Sequence, residues 1–87
     1  MGTIYRPDGT TETIATATGR IRLEEAQDIV GGWVEVVHLP SQSKTKGFLL
    51  VNEEGRLKGL AMNYQASALA AQPIVGTAIL TSTKEFK

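Results

Sequence analysis

With 87 residues, of which 41% are hydrophobic and 21% charged, the chain reads as one folded domain over residues 1–87, neither two domains nor a disordered segment. Nine basic residues balance nine acidic ones, which argues against both a polyelectrolyte nucleic-acid binder and an acidic DNA mimic. No cysteine is present, which removes disulfides, thiolate nucleophiles and cysteine-based zinc sites.

In chain order, Thr3–Arg6 reads as a short strand. Pro7-Asp8-Gly9 is a turn, because proline presets its own φ and glycine accepts a positive one. Thr10–Thr18 alternates threonine with Ile14, Ala15 and Ala17 and completes a hairpin. Leu23–Val30 is the first helix: Leu23, Ala26 and Val30 share a face, and Glu24 and Glu25 suit the positive end of the helix dipole. Gly31-Gly32 supplies a left-handed stop.

Trp33–Leu39 reads as the clearest strand, with Trp33, Glu35, Val37 and Leu39 on one side and Val34, Val36 and His38 on the other. After a polar loop, Gly47–Val51 is a second strong strand. Asn52–Gly55 then reads as a hairpin turn with Gly55 in the left-handed region, and Arg56–Leu60 as the returning strand. Asn63 is a good cap for a second helix, Tyr64–Ala71, which Pro73 ends. Thr77–Thr81 is the last strand, and the tail 84–87 is expected to be loose. The fold class is therefore α+β, a small mixed or antiparallel sheet in the order β-β-α-β-β-(β)-α-β with two short helices.

Both faces of 33–39 and 47–51 are apolar, and two short helices are expected to cover one face at most. The uncovered face predicts either a small closed barrel or a partner chain, hence a homo-oligomer with Trp33 in the core. The segment Met1–Asp8 lacks the apolar core of a signal peptide, and apolar runs such as Phe48–Val51 are far too short to cross a bilayer. No membrane partner is expected, and the expected compartment is the cytoplasm of a bacterium or an infected host cell.

Chemistry-bearing residues are sparse. His38, the single histidine, fits a structural or edge position in its strand. No nucleophile elbow surrounds Ser41, Ser43, Ser67 or Ser82, and no metal-ligand spacing occurs. The sequence therefore nominates no catalytic residue, no metal site and no cofactor. Glu53 and Glu54 read as a solvated turn tip, because raising a carboxylate pKa takes burial. Glu35 in mid-strand calls for an edge position, a cross-strand cation or a ligand. Arg56 and Lys58, two apart on the expected strand, would point the same way and could join Lys44 and Lys46 in an anion-binding patch. The plainer reading is a charged edge that blocks aggregation. Tyr64, at the start of a helix, is the first choice for stacking a base.

The run 23–37, with Gly31, Gly32 and Glu35, followed by Val51-Asn52-Glu53-Glu54-Gly55, Leu60 and Asn63, resembles a family of small phage and bacterial proteins catalogued as a domain of unknown function. Arg22 stands where that pattern has Ser or Thr before the helix. The resemblance implies a phage or mobile-element setting, and pattern positions at Glu35, Asn52, Glu53 and Asn63, without implying a reaction. The expected function is a non-catalytic binding module, such as a counter-defence protein that binds a host protein or sequesters a small nucleotide. The alternatives are a small hydrolase using acidic residues and a sequence-tolerant nucleic-acid binder.

Overall fold

A computed structural model of the chain describes residues 2–14 and 21–82. In order, the elements are β1 (Gly2–Tyr5), β2 (Thr11–Ile14), α1 (Leu23–Val30), β3 (Val34–His38), β4 (Phe48–Asn52), α2 (Tyr64–Ala70) and β5 (Ala78–Thr81). The strands form one sheet in the order β2-β1-β5-β4-β3, and every neighbouring pair is antiparallel. The fold is α+β, as the residue pattern implies, with a purely antiparallel sheet.

The Pro7–Gly9 turn closes the first hairpin, with Gly9 at φ 90° and Arg6 N–H donating to Thr10 O at 3.0 Å. The Asp8 carboxylate accepts from the Thr10 hydroxyl at 2.7 Å and the Thr10 N–H at 2.9 Å, and these two bonds hold its pKa below the usual carboxylate value. Residues 15–18 of the expected second strand, and the tail 84–87, lie outside the described residues.

The helix α1 starts without a Ser or Thr cap. Glu25 accepts from the Arg22 N–H at 3.1 Å, the reciprocal half of a capping box. It stops at Gly31, φ 83°, where the Gly31 and Gly32 N–H groups both donate to Gln27 O. From edge strand β2, this helix carries the chain across the sheet to the other edge, β3.

The two helices lie on opposite faces, so the expectation that they cover a single face is wrong. Ala26 and Val30 of α1 join Ile4, Ile21, Phe48, Leu50 and Ile79 in one core. Ala66 and Ala70 of α2 join Leu49, Val51, Ile74 and Ala78 in the other. That division explains why every residue of β4 is buried and why its two faces are equally apolar. The uncovered face that motivated a barrel or a dimer is therefore already covered within the chain.

Arg56–Leu60 is not a strand. Residues 53–59 form consecutive turns, with Lys58 N–H donating to Glu54 O and Leu60 N–H to Gly55 O. The reason is topological: β4 already pairs with β3 on one side and β5 on the other, so a returning strand would have no free ladder. The left-handed residue is Gly59, φ 68°, and Gly55 is not. Gly55 is glycine for room, since a Cβ there would meet Val75 Cγ2 at 2.9 Å.

Candidate functional site

The register places Val34 opposite Asn52 and Tyr5 opposite Ala78. The start of β3, the end of β4, the end of β1 and the start of β5 therefore share one end of the sheet. At this end lie Gly31–Trp33, the turns 53–59 and the start of α2. The loop 39–47, carrying Lys44 and Lys46, lies at the opposite end, a full strand length away.

Asn52 organises the shared end. Its buried side chain donates to Val30 O, the last carbonyl of α1, at 3.1 Å and accepts from the Glu54 N–H at 2.8 Å. Beside it the Glu53 N–H donates to Trp33 O at 2.8 Å. One asparagine thus fixes the helix end, the strand end and the first of the turns. Asn63 does the same on the other face. Its side chain is fully buried, caps α2 by accepting from Ala66 N–H at 3.1 Å, and donates to Tyr5 O and Gly76 O, both at 2.8 Å. Both residues use their side chains to hold backbone.

A cleft of about 340 Å³ opens between β3, the turns and the segment 72–75. Val37, Val51 and Ile74 form apolar wall, while Glu35, Glu53, Arg56 and Gln72 supply polar groups. Glu35 is exposed on an edge strand, which accounts for its survival in mid-strand. Glu54 is exposed and does not line the cleft. A second, shallower cleft of about 360 Å³ lies at the end of α1, between Gln27, Asp28, Gly31, Gly32 and Trp33.

The four expected cations are not brought together. Arg56 lines the first cleft, whereas the Lys58 ammonium lies 3.5 Å from Gly31 O at the end of α1. Without a strand at 56–60, their two-residue spacing no longer aligns them. Lys44 and Lys46 are at the far end. Tyr64 is 77% exposed at the start of α2 and lines neither cleft. His38, exposed on the edge strand β3, sits edge-on to Phe48 with ring centroids 6.4 Å apart.

Two residues that the sequence did not single out as surface dominate this end. Trp33, expected in the core, is 67% exposed, and Leu57 is 87% exposed. Trp33 precedes the first ladder pair, Val34 with Asn52, so its side chain has no place in the sheet faces. The signal was the Gly31-Gly32 pair, which ends a helix and leaves the next residue outside both elements.

A family model described as Domain of unknown function (DUF3846) matches residues 2–87, and the chain belongs to that family. No curated protein and no solved structure matches it.

Proposed function

We propose that this family member is a non-catalytic binding module of phage or mobile-element type, which captures a host protein as a counter-defence factor does. The contact surface is the end of the sheet that carries the two clefts. The observation behind this reading is the display of Trp33 and Leu57 there, 67% and 87% exposed. Leaving large apolar side chains in water forgoes about 25 cal/mol per Å² of burial, and tryptophan is among the residues that dominate binding energy at interfaces.

The backbone beneath them is held by buried hydrogen bonds at Asn52 and by the Glu53–Trp33 bond, so little ordering entropy is left for binding to consume. Glu35, Glu53 and Arg56 around the first cleft supply charge for selectivity and steering. The phage setting comes from the family resemblance. Protein capture is preferred to nucleotide sequestration because a phosphate group wants converging cations, and the cleft has one guanidinium beside two carboxylates.

Affinity capture from a bacterial lysate tests the reading. The wild-type chain should retain one protein in stoichiometric amount, and Trp33→Ser with Leu57→Ser should lose it without a change in Tm. Capture that survives the double substitution, or calorimetric heat with a mono- or cyclic dinucleotide and no protein retained, would contradict it.

A further inference from the structure

We infer that the second cleft, at the C-terminal end of α1 between Asp28 and the indole of Trp33, is a seat for an arginine side chain of a partner protein. This rests on the partner-binding reading above and adds the chemistry of the group recognised. The first observation is charge. Within Leu23–Val30 the helix carries Glu24, Glu25 and Asp28 and no cation, and its last turn has no basic residue.

A helix C-terminus already bears partial negative charge, so a carboxylate three residues before the Gly31 cap is locally unfavourable. A cation arriving from outside would turn that cost into attraction. Lys58 touches the same helix end through Gly31 O but does not line the cleft, and among the described residues Asp28 makes no ion pair.

The second observation is shape. Nothing lies within 4 Å of where a Gly31 side chain would begin, so the cleft between Asp28 and Trp33 stays open on that side, while the Lys58 ammonium and the Asn52 amide stand beside Gly32. Its aromatic wall is exposed. A planar guanidinium suits such a site better than an ammonium. It can lie flat on an indole face while its edge N–H groups donate to a carboxylate.

Trp33 is the chain's single tryptophan, so its fluorescence reads the site directly. The probe is a blocked glycyl-arginyl-glycine peptide, alongside its citrulline counterpart, which keeps the shape and lacks the charge. The arginine peptide should give a saturable fluorescence change, weakened about ten-fold by citrulline, by Asp28→Asn or by raised salt. No saturable change, or an equal response to citrulline, would overturn the seat. A fluorescence change on dilution of the protein alone that Arg56→Ala removes would assign the seat to a second copy and overturn the heterologous partner. The two readings separate in the lysate capture. Asp28→Asn that leaves capture undiminished overturns the arginine seat alone, whereas peptide binding with no protein captured overturns the module reading alone.

Discussion

The side-chain amide of Asn63 donates to the carbonyl oxygen of Tyr5 at 2.8 Å, joining the second helix to the first strand across 58 residues of chain. The same amide reaches Gly76 O, and its oxygen caps α2 at Ala66 N–H. Asn63→Ala would remove all three of these hydrogen bonds to backbone groups, two of them buried. It should cost about 2–4 kcal/mol, because each orphaned buried group forfeits its full desolvation penalty. Urea denaturation measures this; a loss below about 1 kcal/mol would mean water replaces the amide.

Two glycines should respond differently to alanine. At Gly47, φ 112°, a Cβ would fall onto the Thr81 carbonyl oxygen, a backbone atom that cannot turn aside. At Gly55 the obstacle is a methyl of Val75, which can rotate, and φ is not left-handed. Gly47→Ala should therefore cost about 2 kcal/mol or more and Gly55→Ala about 1 kcal/mol. Thermal melts that reverse this order would contradict the packing.

Arg56 and Lys58 should separate in their effects. Lys58 stands at the negative end of α1, so Lys58→Ala should lower stability by about 0.5 kcal/mol. Arg56→Ala, in the wall of the first cleft, should leave Tm unchanged and weaken partner capture. Indistinguishable behaviour in melting and capture would mean the two still act as one patch.

Self-association, in this structure, has one well-placed route. Among the described residues the outer edge of β3 has no neighbouring strand, and Val36 in it is 43% exposed. Pairing of two copies along β3 predicts that Val36→Lys removes the dimer, since a charged edge resists strand addition. With both sheet faces covered within the chain, any self-association runs through this edge; light scattering over a dilution series that shows a dimer for the wild type and for Val36→Lys alike would contradict that route.

Local signals in the sequence were reliable where a single element decides them. The spacing of Leu23, Ala26 and Val30, with Gly31 behind, marked α1 to the residue. The Pro7–Gly9 turn and the Asn63 cap were equally plain. What failed depended on neighbours distant in sequence. Nothing in Arg56–Leu60 tells that β4 is already paired on both edges, so an acceptable strand became turns. Nothing in the helices tells that they take opposite faces of the sheet. For the site, Arg56, Glu35 and Glu53 are legible as charged residues, but their spacing groups Arg56 with Lys58, Lys44 and Lys46, and only the fold gathers it with the two glutamates around one cleft. Trp33 was misjudged because its type says core, while its position between the glycine stop and the first ladder pair says surface.

The claim that one end of the sheet is the partner surface is tested most directly by a photo-cross-linking scan. A benzophenone amino acid is placed in turn at Leu57, Glu53 and Gln27 around the two clefts, and at Lys44 and Lys46 at the far end, and each protein is irradiated in a bacterial lysate. The account predicts one adduct of the same mass from the first three positions and none from the two lysine positions. An adduct formed at Lys44 or Lys46 with none at Leu57 would contradict it.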